Sequence, residues 1–245
     1  MNSIHIENFE RKRDFLVLDN EKSEVVFSTA EDNRSFNRNT KEGILALESI
    51  KKDFNVDEVI YIKQIHSDKV LNYDNQVDFI ENEGDAIITN KKNVAIGVFT
   101  ADCVPVIAIN EVDGVIAAIH SGWRGTFDSI TKKTLEKMTE VYKVNHKNTK
   151  IYIGAHIRKC CYEVSEELKE KFIEEKNHIN KDDLFYNRNL SLKECILKDA
   201  LDSGILENNI YDFGACTYCE DNIKLHSYRK SNGSYGRLFS FAFLK

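Results

Sequence analysis

Four short apolar runs follow one another in the middle of the chain, at 85–89, 94–99, 104–109 and 114–119. Each is rich in β-branched residues and bounded by charges or glycine. Runs of this length are short for helices and read as strands. They lack a polar residue at every second position, so some are buried on both faces. A sheet buried on both faces needs a layer of structure above and below it. At 245 residues the chain is long enough to supply such layers without disulfide staples. Pro105 has no N–H to give to a ladder, which places it at a strand start or a sheet edge.

The flanking sequence alternates between the two periodicities. Residues 13–18 and 23–28 read as strands. Asn39 with Glu42 resembles a capping box. Behind it Ile44, Leu45, Leu47 and Ile50 recur at helical spacing, so 40–53 reads as a helix. Residues 58–65 are β-branched and aromatic, a strand. Ile130, Leu135, Met138, Val141 and Tyr142 share one face of a helix over 126–143. A strand at 150–154, amphipathic helices at 165–176 and 190–203, and closing strands at 209–213 and 237–243 complete the pattern. Strands and helices mix without strict βαβ alternation, so the class is α+β, with mixed sheets flanked by helices. One proline and 11 glycines leave no linker, and no repeat is visible. Residues 1–245 are expected to form one domain.

The charge balance is 34 Lys+Arg against 40 Asp+Glu, a net −6. A dedicated nucleic-acid binder needs the opposite sign, and so does a polybasic membrane module. The apolar stretch 94–109 is broken by Thr100 and Asp102 and is too short to span a bilayer. Met1 to Asn20 mixes charges throughout and lacks the apolar run of a secretory signal. The six cysteines are not spaced as a disulfide framework, so a reduced, cytoplasmic setting is expected. There cysteines serve as core residues, metal ligands or nucleophiles.

Three segments gather chemistry at the ends of strand-like runs: Gln64-Ile65-His66-Ser67, Thr100-Ala101-Asp102-Cys103, and His120-Ser121-Gly122-Trp123-Arg124-Gly125. Polar side chains there would stand at the lip of a sheet, facing a pocket. His66, Cys103 and His120 form a possible open zinc site, with three protein ligands and a fourth place for water or substrate. Taken singly, His66 reads more readily as a surface or core histidine satisfied by a backbone carbonyl, and Cys103 as a small buried hydrophobe. Trp123 between two glycines looks like a tight loop around a site. Arg124 reads as a phosphate clamp or as a surface ion pair. Cys216-Thr217-Tyr218-Cys219 is a lone C-x-x-C, weak evidence for a separate metal site. Cys195 falls on the apolar face of its helix, and Cys160-Cys161 reads as structural, with Cys161 near the pocket.

Together the Q-x-H, G-D-A-x-x-T, T-A-D-C-x-P and H-S-G-W-R-G segments resemble the YfiH, or laccase-domain, family. The resemblance runs on through Gly154-Ala155-His156, Cys161-Tyr162-Glu163-Val164, Asn189-Leu190, Cys216-Thr217, Ser227-Tyr228-Arg229-Lys230 and Gly236-Arg237. It implies a cysteine-hydrolase-like fold in α/β/β/α layers. It also implies bacterial purine nucleoside phosphorylase activity on adenosine, inosine and S-methyl-5′-thioadenosine, with adenosine deamination. Its partners would be a purine nucleoside and phosphate. By resemblance His66, Cys103 and His120 match the family's metal ligands, zinc by expectation and copper as an alternative. Asp102 is a catalytic candidate. Arg124, Arg34 and Arg38 are candidates for substrate or phosphate, and Arg229 and Arg237 match arginines of structural or substrate-binding role. The chain departs from the family in 28–40, which has no glycine, and at Ala155, where proline is usual.

Phosphorolysis asks for a held phosphate and a polarised base. Deamination asks for an activated water at C6, which is the chemistry zinc supplies. Cys103 as nucleophile with a histidine base uses the same residue types. The older family label, copper-dependent polyphenol oxidase, suits a His₂Cys set. However, the chain lacks the His-x-His pairs of a multicopper cluster. A peptidoglycan-precursor editing hydrolase and a binding-only protein are the remaining alternatives.

Overall fold

The computed structural model describes residues 1–233 and 236–245. The chain opens with β1 (Asn2–Ser3), β2 (Glu10–Lys12), β3 (Phe15–Asp19), β4 (Ser23–Ser28) and α1 (Lys41–Phe54). Next come β5 (Glu58–Ile60), β6 (Val70–Asn72), β7 (Ala86–Thr89), β8 (Val94–Thr100), β9 (Val104–Asn110) and β10 (Val115–Ser121). Helices α2 (Trp123–Phe127) and α3 (Ile130–Tyr142) lead to β11 (Lys150–Ile153), α4 (Glu166–Glu175) and α5 (Lys181–Leu184). The short hairpin of β12 (Phe185–Tyr186) and β13 (Asn189–Leu190) precedes α6 (Leu192–Asp202), β14 (Ile210–Asp212) and β15 (Leu238–Leu244).

Two mixed sheets stack face to face. One runs β1-β14-β11-β9-β10-β7-β6 and the other β2-β3-β4-β15-β8-β5. The central strands explain the apolar runs. Along β10, Val115, Ala117 and Ile119 face α3 and α6, while Ile116 and Ala118 face the second sheet. Along β15, Phe239, Phe241 and Phe243 face α1, while Ala242 and Leu244 face the first sheet. Every position therefore meets apolar cover, and the order of layers is helix, sheet, sheet, helix. This is the expected α+β architecture.

Differences from the sequence reading have local causes. Thr40, not Asn39, caps α1, its Oγ1 accepting from the Gly43 N–H at 3.1 Å. Ala46, Leu47, Ile50 and Phe54 form the buried face of α1, so Ile44 and Leu45 are exposed. The expected helix over 126–143 is two helices, broken where Ser129 takes a left-handed φ of 56°. Val141 faces solvent. Trp123 opens α2 instead of sitting in a loop. The strand expected at 58–65 stops at Ile60, because Gln64 pairs with β8 through its side chain. Gln64 Nε2 donates to the Phe99 carbonyl at 2.8 Å, and its Oε1 accepts from the Phe99 N–H at 2.7 Å. β1, β2 and β6 were not anticipated: strands of two or three exposed or half-buried residues carry no apolar period.

Pro105 is the second residue of β9, a central strand. Its carbonyl accepts from the Gly154 N–H at 3.0 Å. The Gly154 carbonyl, which an N–H at 105 would have reached, is taken by His156 Nδ1 at 2.9 Å. His156 is 1% exposed. Burial, against the opposing pull of the Gly154 carbonyl, brings its pKa down to about 4. The unfolded chain takes up this proton near pH 6.5, the folded chain only near 4. Stability from this group is therefore intact above pH 6.5 and is lost as pH falls toward 4, by roughly 3 kcal/mol in total. Urea unfolding of wild type and His156→Asn at pH 7 and pH 4 checks this. Wild type should lose roughly 3 kcal/mol more than the variant, and equal losses would exclude the effect.

Candidate active site

The site lies at one end of the paired sheets, where three chain segments meet. Gln64 ties the first segment to β8. Just beyond it the buried carboxylate of Asp85, at the start of β7, gathers three successive amides. Its Oδ2 accepts from the N–H groups of Ile65 (3.3 Å) and Ser67 (2.6 Å) and from Ser67 Oγ (2.7 Å). Its Oδ1 accepts from the His66 N–H (3.0 Å) and lies 2.8 Å from His120 Nδ1. His66 sits at the crest of this turn with φ of 58°. Cys103 occupies the β8–β9 turn, and His120 the end of β10. The two imidazoles stand edge to face, 4.8 Å between centroids, and His66 Nε2 is 3.9 Å from Cys103 Sγ.

One donor atom from each of His66, Cys103 and His120 lies within 4.8 Å of the other two. Because Asp85 binds His120 Nδ1, Nε2 is left for a metal, the carboxylate–histidine pairing typical of such ligands. The cradle depends on Gly122. A Cβ there would stand 3.1 Å from both Cys103 Sγ and His66 Cδ2. Imidazole, imidazole and thiolate fit a tetrahedral ion with one position open. Burial alone would raise the Cys103 thiol, but the His120 and His66 imidazoles beside it bring it down to about 6. Burial likewise opposes charge on His120, yet the Cys103 thiolate and Asp85 push it up to about 9. A thiolate is thus available at neutral pH, as ligand or as nucleophile.

The three residues line a cleft of about 850 Å³, a size suited to a small organic ligand. Arg38, Arg124, Arg229 and Arg237 all reach its walls, and Trp123, Tyr162 and Tyr228 add aromatic surface. Thr100 Oγ1, buried at its edge, has no hydrogen-bond partner among the described residues. Arg124 is exposed, rests on the Trp123 ring at 4.7 Å, and makes no ion pair among the described residues.

Arg38 reaches the cleft while donating to the Ile80 carbonyl and to Glu81, at 2.7 Å each. Arg34 does not reach it. Its guanidinium is paired with the fully buried Asp14 and lies over the Phe15 and Phe36 rings. Removing it would strand a buried carboxylate, so its place in the fold is structural. Asp102 lines the cleft with a rare φ of 102°. Its two oxygens accept from Thr217 Oγ1 (2.6 Å) and the Arg229 N–H (2.8 Å). Asp102 thereby joins the Cys103 turn to the C-terminal loops. Arg229 itself donates to the Glu163 carbonyl at 3.1 Å. Sequence reasoning passed over Asp85, although the G-D-A segment contained it.

Residues 23–245 match a family model described as multi-copper polyphenol oxidoreductase laccase. The chain belongs to the laccase-domain family. It is 42% identical to a purine nucleoside phosphorylase of Clostridium acetobutylicum, over 96% of this chain and 97% of that one. It is 28% identical to an adenosine deaminase, RL5, from an unknown prokaryotic organism, over 78% of this chain and 76% of that one. The crystal structure of Bacillus licheniformis hypothetical protein YfiH superposes with a TM-score of 0.88 at 22% identity, covering 97% of this chain and 99% of that one. That likeness speaks for the fold. The family label mentions several coppers. Among the described residues, groups of three or more His, Cys, Asp or Glu that could hold a metal occur in two places, this cleft and a cluster of four cysteines.

Proposed function

We propose that this laccase-domain chain is a zinc-dependent purine nucleoside phosphorylase that also deaminates adenosine. Adenosine, inosine and S-methyl-5′-thioadenosine are its substrates in this reading. The observation that carries it is a three-donor cluster that lines one cleft together with four arginines. The names of the Clostridium and RL5 relatives support the same reaction classes.

Phosphorolysis forms a bond from a phosphate oxygen to C1′ and breaks the C1′–N9 bond, leaving ribose 1-phosphate and the free base. The chain's part is to hold both reactants in line and to balance the charge that develops. Arg124, which is exposed and has no carboxylate partner among the described residues, is the arginine we assign to phosphate. Arg38 lines the same cleft with its guanidinium anchored at Ile80 and Glu81. Trp123, Tyr162 and Tyr228 offer faces on which a purine stacks. We assign Asp102 a positioning role, because Thr217 and Arg229 occupy both of its oxygens. Zinc held by His66, Cys103 and His120 would supply a Lewis acid and an activated water. A thiolate ligand needs a reducing compartment, so the cytoplasm is the setting we propose.

The test is to incubate zinc-loaded protein with adenosine, with and without phosphate, and to resolve the products by chromatography. Phosphate-dependent adenine and ribose 1-phosphate, lost in His120→Ala, are expected, with inosine as a second product. Inosine alone, indifferent to phosphate, would leave only the deaminase. No product from protein with zinc in the cleft would overturn the reading and move attention to muropeptide hydrolysis.

A further inference from the structure

Cys160, Cys161, Cys216 and Cys219 are unused by the chemistry above. Cys160 and Cys161 lie in the loop after β11. Cys216 and Cys219 lie in the loop after β14. Those two strands pair in parallel, so their loops leave the sheet at the same end. A bridge between His156 and Cys216 continues the pairing past the strands. The four sulfurs fall within 4.8 Å of one another, and Cys160 Sγ is 3.6 Å from Cys219 Sγ. Sulfurs bound tetrahedrally to zinc at about 2.3 Å stand about 3.8 Å apart. The spacing therefore suits a shared metal.

The surroundings of Cys216 favour a thiolate, whereas burial raises the Cys160 and Cys161 thiols, which a coordinated cation would deprotonate. The Arg158 N–H donates to Cys216 Sγ at 3.4 Å, and the amides of Tyr218 and Cys219 converge on the same sulfur. Amides turned toward the first sulfur of a C-x-x-C turn stabilise negative charge on it. The Arg158 guanidinium is close enough to interact with both Cys160 and Cys216. Cys160 and Cys219 are exposed, which rules out the small buried hydrophobe role that Cys195 fills.

We propose that Cys160, Cys161, Cys216 and Cys219 form a second metal centre, a closed four-thiolate zinc site of structural role. Four protein ligands leave no open position, so this centre takes no substrate. It joins two loops that border the cleft. Ile157 in the first donates its N–H to the Asp102 carbonyl at 2.9 Å, and Thr217 in the second binds the Asp102 carboxylate. Tyr162, next to Cys161, lines the cleft. The centre pins the wall that carries Asp102 and Tyr162. The inference stands whether or not the chain is a phosphorylase.

The experiment is metal analysis of protein purified anaerobically under reducing conditions. Wild type should hold about two zinc ions per chain, and Cys103→Ala about one. Cys103→Ala leaves all four cysteines in place, so its folding is not in question at this centre. With cobalt(II) in place of zinc, this variant should show strong thiolate-to-metal charge transfer and the bands of a four-sulfur tetrahedral site. Adding Cys216→Ser and Cys219→Ser to that background should remove both metal and bands. A Cys103→Ala chain without metal, or with cobalt bands lacking thiolate character, would overturn the proposal. So would an intact mass showing a disulfide among these cysteines.

Discussion

Cys103→Ala is expected to lower turnover by on the order of a thousandfold or more and to empty the cleft of zinc. Cys103 is the single sulfur among three donors, and it is a thiolate at neutral pH because two imidazoles stand beside it. Two histidines alone hold zinc poorly against the competition of water and buffer. The loss should not be a folding defect. Cys103 is partly exposed at a turn, so metal-free variant and metal-free wild type should unfold within about 1 kcal/mol of each other. Cys103→Ser separates two roles that share this geometry. A pure ligand predicts that zinc and turnover fall together. A chain that keeps its zinc in the cleft but is inactive would show that the sulfur attacks substrate. The measurements are zinc content, turnover and urea midpoints of the same preparations.

Much of this architecture is legible in the sequence for a definite reason. Strands buried on both faces need an apolar residue at every position, so β7 to β10 stand out as continuous runs. Polar edges leave no such mark. β2 reads Glu10-Arg11-Lys12, fully exposed, and only pairing with β3 makes it a strand. His66, Cys103 and His120 were recognisable because each falls in a dense motif, and the motifs agree with one family. Their meeting in space is not written in the motifs, because it depends on the turn at 64–67 docking on β8 and Asp85. Arg34 and Arg38 were indistinguishable on paper, both lying in the unusual 28–40 segment. The buried carboxylate of Asp14 claims the first, and the second reaches the cleft. The cysteine cluster was hidden because its halves are more than fifty residues apart, as Cys160 and Cys219 show. A lone C-x-x-C cannot announce a partner pair that is adjacent in sequence and lacks a spacing of its own.

Asp85→Asn is the other substitution with a large expected effect, and it acts on the proposed metal centre without removing one of its three donors. Burial would raise the Asp85 carboxyl, but His120 and Ser67 hold it below the usual carboxylate range. It is therefore an anion that accepts from every neighbour. An asparagine has one acceptor oxygen and must turn its NH₂ toward donors in either orientation. With NH₂ at the Oδ2 position it opposes the amides of Ile65 and Ser67, and the turn that raises His66 loosens. With NH₂ at the Oδ1 position it opposes the His66 amide and His120 Nδ1. His120 could answer by moving its proton to Nε2, but that nitrogen would then no longer bind a metal. Both outcomes weaken the same centre. Zinc affinity of the cleft should fall about 10- to 100-fold, and metal-free stability by roughly 3–5 kcal/mol. Zinc competition titrations on the Cys216→Ser, Cys219→Ser background and urea midpoints measure the two effects separately. The double variant Asp85→Asn with His120→Ala tells whether they share a cause. If Asp85 acts through His120, Asp85→Asn adds little to the loss of affinity that His120→Ala already causes. Full additivity would mean that Asp85 serves the 64–67 turn alone.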